Sequence, residues 1–200
     1  KNLAVLNISS SLDSSDSSVI ENASNLLHSL KNLLLLIFKG SGKSSFKSEF
    51  TSIFDKLPPY LFYLDISGQN IGDDGMIKLA EFIVSRGKPN SQLQDIFEFK
   101  ATQINHFLSN FEAKADGTLQ YIIFNRMGCT IKGFLSVLES IVGSDSAIKN
   151  AEWGQQEIYR LSKKDSSFEK NQLESRIQQL KNLFDDKFAN NCKDPILSTS

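Results

Sequence analysis

The chain has 200 residues, of which 40% are hydrophobic and 22% are charged, and its formal net charge is -1 at pH 7. This composition predicts a folded chain with an apolar core and excludes an intrinsically disordered one. The 22 basic and 23 acidic residues are dispersed, which argues against a surface that follows nucleic-acid phosphates. The longest apolar run, at residues 33–38, is too short for a membrane helix, so no membrane insertion is expected.

Residues 3–8 read apolar-x-x-apolar-x-apolar, a pattern typical of a short strand whose alternate side chains are buried. The pattern recurs at 33–38, 61–66 and 119–124, and without its first apolar residue at 94–99. In chain order, the central residues of the five segments are spaced 30, 28, 33 and 25 residues apart, with a mean of 29. Such a period indicates a repeat architecture of about five units.

Apolar residues at helical spacing follow each strand pattern and predict one helix per unit. These stripes lie at 19–30, 46–57, 76–83, 104–111 and 134–142. Asp73 and Asp74 precede the third stripe, where acidic side chains suit a helix N-terminus. Each strand-helix unit has an apolar face that it cannot bury alone, so we expect the units to stack strand beside strand and helix beside helix.

Residues 61–80 resemble one leucine-rich repeat of the ribonuclease-inhibitor type. Leu61, Leu64, Ile66 and Ile71 take the apolar positions of that repeat, and Gly-Asp-Asp-Gly at 72–75 matches its usual helix entry. The resemblance extends in weaker form over about residues 1–145. It implies an α/β solenoid, or horseshoe, with parallel strands on the concave face and helices on the convex face.

That family places an asparagine or cysteine at one position where the side chain hydrogen-bonds the backbone. The resemblance assigns this position to Gln69, with Asn70 beside it. In the other units the same position holds Ser11, Ser41, Thr102 and Met127. The first three offer a hydroxyl to the backbone whereas Met127 does not, so we expect a less regular curvature than the family shows.

At this level the chain is similar to intracellular actin-regulatory scaffolds of the CARMIL type, NOD-like receptors, axonemal scaffold subunits and secreted bacterial effectors. The resemblance implies binding of another protein and little else. Two cysteines are too few for a disulfide framework and favour a reducing compartment. We therefore expect a non-enzymatic cytoplasmic scaffold or adaptor, associated with the cytoskeleton and actin regulation, with a secreted effector or receptor module as the alternative.

The expected binding surface is the concave face, formed by strand residues that point away from the helices. These are Asn7, Ile37, Asp65, Glu98 and Ile123, flanked by Ser9, Lys39, Ser67, Lys100 and Asn125. A mixture of acidic, basic, amide and apolar side chains suits recognition of a folded protein surface.

Residues 40–45, Gly-Ser-Gly-Lys-Ser-Ser, follow a predicted strand and resemble a phosphate-binding loop. The loop motif requires a glycine five residues before its Gly-Lys pair, and Ile37 stands there. A glycine-rich repeat turn is therefore favoured, and nucleotide binding through Lys43 is the alternative. His28 and His106 lie on separate predicted helices without a partnered carboxylate or nucleophile, so no catalytic set, metal site or cofactor is predicted.

The pattern changes after residue 143, because residues 144–156 lack a clear sixth strand and residues 166–188 predict a charged amphipathic helix. Its apolar stripe comprises Leu173, Ile177, Leu180, Phe184 and Phe188. The favoured role of this helix is to cover the open end of the repeats, and homodimerisation or partner binding is the alternative. We thus divide the chain into repeats at 1–145, continuing before Lys1, and a helical cap with a frayed tail at 146–200.

Overall fold

The computed structural model describes residues 3–9, 17–42, 50–86, 119–143, 146–164, 170–188 and 196–199. Strands and helices alternate within these ranges: β1 (Val5–Asn7), α1 (Ser17–Ser29), β2 (Leu35–Ile37), α2 (Thr51–Phe54), β3 (Tyr63–Asp65), α3 (Gly72–Ser85), β4 (Tyr121–Ile123), α4 (Ile131–Val142), β5 (Asn150–Trp153), α5 (Gln155–Lys164), α6 (Lys170–Phe188) and β6 (Ile196–Thr199). The strand predicted at 94–99 and the helix predicted at 104–111 lie outside the described residues.

The six strands form one all-parallel sheet in the order β1-β2-β3-β4-β5-β6. The predicted α/β class and the parallel pairing are therefore confirmed. Paired residues are 30 apart between β1 and β2, 28 between β2 and β3, and 29 between β4 and β5. In these three pairs each strand follows its neighbour after one strand-helix excursion of nearly constant length.

The expectation that the five predicted strands pair in chain order is wrong after the third strand. Leu64 of β3 pairs directly with Ile122 of β4, across an offset of 58 residues, or about two periods. Physical signs of this difference are present in the sequence: residues 94–99 lack the first apolar position, and their spacings of 33 and 25 depart most from the mean.

The core lies between the sheet and the helices. Inward strand residues Leu36, Leu64 and Ile122 are 0%, 0% and 1% exposed and belong to the same buried cluster as Leu27 of α1 and Leu79 of α3. Aromatic rings occupy the same layer, where the ring centroids of Phe38 and Phe50 lie 5.4 Å apart and those of Phe124 and Trp153 lie 6.1 Å apart. Each such side chain stabilises the fold by about 1.5–3 kcal/mol relative to an exposed position.

The turns that follow β3 and β4 have the same backbone conformation although their sequences differ. After β3, the angle φ is positive at Gly68 (78°) and Asn70 (52°). After β4, it is positive at the corresponding residues Arg126 (53°) and Gly128 (71°). Asparagine and glycine tolerate this left-handed conformation, whereas arginine adopts it at a cost. The backbone therefore repeats more regularly than the residue types do.

The side chain of Gln69 hydrogen-bonds the backbone, as expected for this residue. Its side chain is 2% exposed, and Nε2 donates a hydrogen bond of 2.5 Å to the carbonyl oxygen of Phe38 in the preceding unit. Met127 occupies the same position in the next unit and is buried in the core at 1% exposure. Its backbone carbonyl instead accepts a hydrogen bond of 2.9 Å from the N–H of Gly72.

Two predictions for the C-terminal part are wrong. Residues 144–156 contain β5, which pairs with β4, and the tail predicted to be frayed contains β6, which pairs with β5. The sequence pattern does not identify β5, because its central inward position holds the small residue Ala151, between Ile148 and Trp153. The boundary predicted at residue 145 consequently separates strands of one sheet.

Candidate functional site

The parallel register aligns the predicted outward residues in a row across the sheet. Asn7 pairs with Ile37, Ile37 with Asp65, and Asp65 with Ile123. The register adds Glu152, paired with Ile123, which the sequence interpretation missed together with its strand. Glu98 and Lys100 lie outside the described residues.

A second outward row, not predicted, lies two residues earlier on each strand. It consists of Val5, Leu35, Tyr63 and Tyr121, which the register pairs in that order. Period-two alternation of side chains along a strand places both rows on the same face, so the sequence held this signal.

The earlier row forms a hydrophobic cluster separate from the main core. Leu34, Leu35, Phe62 and Tyr121 are its buried members, and Val5, Ile37, Tyr60 and Tyr63 are partly buried against them. The ring centroids of Tyr63 and Tyr121 lie 6.4 Å apart with the planes at 25°, and those of Phe62 and Tyr121 lie 4.8 Å apart. The sheet face away from the main core is therefore apolar and aromatic at the amino ends of its central strands.

Among the described charged residues of this face, Asp65 is the most buried. Its side chain is 2% exposed, and Oδ2 lies 3.0 Å from Nζ of Lys39, whose side chain is 50% exposed. Oδ1 accepts a hydrogen bond of 3.1 Å from the N–H of Ser67. A buried carboxylate requires such partners, and here an ammonium and a backbone amide supply them.

The polar flank follows the same repeating turn. Asn7 Oδ1 accepts a hydrogen bond of 3.1 Å from the N–H of Ser9, as Asp65 does from Ser67 in a later unit. The hydroxyl oxygen of Ser67 accepts a hydrogen bond of 3.2 Å from the N–H of Asn125. The predicted flanking residues thus lie together at the carboxyl ends of their strands.

The pKa of Tyr63 is affected by the acidic residues of this face. Burial and, to a smaller extent, the negative charges of Asp65 and Glu152 raise its pKa from 10.0 to about 12. The phenol therefore stays protonated at neutral pH and remains a hydrogen-bond donor. Glu152 itself is half-buried, and the described part of the chain provides it with no hydrogen bond or ion pair.

The apolar stripe of the C-terminal helix is already covered within the chain. Leu173, Ile177, Leu180 and Phe184 are 0%, 4%, 2% and 0% exposed and belong to the main core cluster. The alternative prediction that this stripe forms a homodimer is therefore wrong for these four residues, because a partner helix cannot reach them without opening the core. The side chain of Phe188 lies outside the described residues.

The glycine-rich turn at 40–42 already uses two of the backbone amides that a phosphate-binding loop would present. The N–H of Gly40 donates to Ser67 O and that of Gly42 donates to Gly68 O, both at 2.8 Å. A Cβ atom added to Gly40 would lie 2.4 Å from Gly68 O, so the two turns are in close contact. This argues against the phosphate-binding alternative, whose amides must be free to face an anion. Lys43 lies outside the described residues.

The described ranges contain no group of three histidine, cysteine, aspartate or glutamate residues arranged to hold a metal ion. His28 Nε2 lies 3.2 Å from Lys31 Nζ on the exposed side of α1, and His106 lies outside these ranges. Asp73 and Asp74 lie in the first turn of α3, as predicted. Among the helices that the structure describes, none has both the length and the hydropathy needed to cross a membrane.

No protein-family model matches the chain, and no curated protein is similar to it in sequence.

Proposed function

We propose that the chain is a leucine-rich-repeat solenoid that acts as a non-enzymatic scaffold or adaptor for another protein. The strand order, the offsets of 28 to 30 residues and the stacked turns support the solenoid. The hydrogen bond from Gln69 to the Phe38 carbonyl supports the leucine-rich type in particular. In this architecture the sheet face away from the helices is the concave one.

A single observation carries the binding function: the outward sheet face has partly exposed apolar residues surrounded by polar ones. Tyr63, Ile37 and Ile123 are half-buried with no covering element in the described part of the chain, and Lys39 and Asn7 are exposed beside them. An apolar and aromatic centre with a polar rim is typical of protein interfaces. The assembly we propose is intracellular and cytoskeletal, with actin regulation as its process.

Affinity purification of the intact protein from its native cell extract tests this function. We compare the wild type with Ile37→Arg on the proposed face and with Leu26→Arg on α1, where Leu26 is 50% exposed. Both changes replace an aliphatic side chain by arginine, and circular dichroism checks that both variants fold. A stoichiometric partner that is retained by Leu26→Arg and lost by Ile37→Arg supports the proposal. Equal recovery by all three proteins refutes it.

A further inference from the structure

The charged residues on the described strands of the outward face, Asp65 and Glu152, are both acidic. Lys39 follows β2 and is paired with Asp65, and Lys149, which precedes β5, is buried. Arg126, on the following turn, extends toward the β2 side, where its Cδ lies 4.0 Å from the Cβ position of Gly42. Glu152 lies on the opposite side, on β5, and has no ion-pair partner among the described residues.

An apolar side chain lies beside this carboxylate. Ile123 of β4 pairs with Glu152 and is half-buried, whereas Tyr121, two residues earlier on β4, is buried against Phe62 and Tyr63. Neighbouring strands are about 4.8 Å apart, so a side chain lying on Ile123 reaches Glu152 within one strand spacing. Arginine and lysine combine a long apolar stem, which can pack on Ile123, with a cationic end.

We infer that the surface of Ile123 and Glu152 accepts a basic segment of the partner protein, with an arginine or lysine stem on Ile123 and its cation at Glu152. This inference rests on the proposed function. An acidic or purely apolar segment fits less well, because Glu152 would face a like charge or be buried without a partner.

The test uses the full chain and two short fluorescent peptides, one of repeated Gly-Leu-Arg and the other of repeated Gly-Leu-Glu. We expect the arginine peptide to bind with higher affinity and its affinity to fall with added salt. Glu152→Gln should weaken its binding about fivefold, and Glu152→Lys further. The matched control is Glu21→Gln, which removes an exposed glutamate on α1 and should leave the affinity unchanged.

Equal affinity for the two peptides, or an equal effect of Glu21→Gln and Glu152→Gln, would overturn the inference. Its failure is distinguishable from that of the proposed function. If Ile37→Arg loses the native partner while Glu152→Gln leaves arginine-peptide binding unchanged, the face binds proteins and the charge assignment alone is wrong. If Ile37→Arg retains every partner, the proposed function falls and takes this inference with it.

Discussion

The carboxylate of Asp73 accepts two hydrogen bonds from Thr130, a residue 57 positions later in the chain. Oδ1 accepts the backbone N–H at 2.7 Å, and Oδ2 accepts the hydroxyl at 2.8 Å. Thr130 is the N-cap residue of α4, and its own side chain makes no capping hydrogen bond there. Asp73 therefore joins the start of α3 to the start of α4, so that adjacent units are held in register by a side chain.

Asp73→Ala should lower the free energy of unfolding by about 1.5–3 kcal/mol, because it removes a charged acceptor from two donors. Asp74→Ala is the matched control, since Asp74 is exposed in the same helical turn and should change stability by less than about 0.5 kcal/mol. Urea unfolding followed by circular dichroism measures both. Similar losses of stability in the two variants would show that the stabilisation comes from negative charge at the start of α3 and not from the hydrogen bonds to Thr130.

Gln69→Ala should cost about 1–3 kcal/mol, because the carbonyl of Phe38 would lose a buried donor and a small void would remain. Gln172→Ala provides the comparison, since Gln172 is exposed on α6 and should change stability very little. The same unfolding experiment compares them. Equal midpoints for the two variants would mean that the buried bond contributes nothing to the stacking of units.

The sequence pattern predicts the strands well where large apolar residues fill all three inward positions, as in β2, β3 and β4. It fails at β5, where Ala151 is small and Trp153 fills the space beside it against Phe124 and Phe134. The pattern also fails for β6, because its pairing with β5 depends on contacts between distant parts of the chain. A repeat period therefore predicts the number of units only where all units have the same length.

The candidate surface was predictable in part. Alternation along a strand identifies outward residues such as Ile37 and Asp65 without a structure. It does not tell which of them are covered: Asp65 is 1% exposed whereas Lys39, its ion-pair partner, extends into solvent. Glu152 required the position of β5, which depends on contacts between distant parts of the chain.

Two leucines of α6, one buried and one exposed, test whether this helix covers the core of its own chain. Leu180 is 2% exposed and packs in the core, whereas Leu183, three residues later, is 52% exposed. Leu180→Ala should lower the free energy of unfolding by about 2–4 kcal/mol, and Leu183→Ala by less than about 0.5 kcal/mol.

Light scattering of the same α6 variants adds an independent measurement. Because Leu180 contacts residues of its own chain, we expect Leu180→Ala to leave the molecular mass of the folded protein unchanged. A mass that falls on Leu180→Ala, with stability preserved, would restore the dimer interpretation of this stripe.

The raised pKa of the buried Cys129 thiol predicts that the protein loses stability at alkaline pH. Burial and, to a smaller extent, the charge of Glu157 raise its pKa from 9.0 to about 12, while the charge of Arg160 opposes this increase. Above pH 9.0 the unfolded chain loses this proton while the folded chain keeps it, so the unfolded state binds fewer protons. Stability therefore falls with rising pH, by about 1.4 kcal/mol per pH unit for this group, until the pH reaches the folded pKa.

Cys129→Ala removes this titration while it leaves the other ionisable groups, including Tyr63, in place. We expect the free energy of unfolding of the wild type to fall more steeply than that of the variant between pH 9.0 and about 12. Urea unfolding at several pH values in this window, with a reductant present, gives the two curves. Below pH 9.0 the variant should be the less stable protein, because the thiol fills a buried site that alanine leaves partly empty. Parallel curves throughout the window would show that the thiol ionises in the folded state as readily as in the unfolded one.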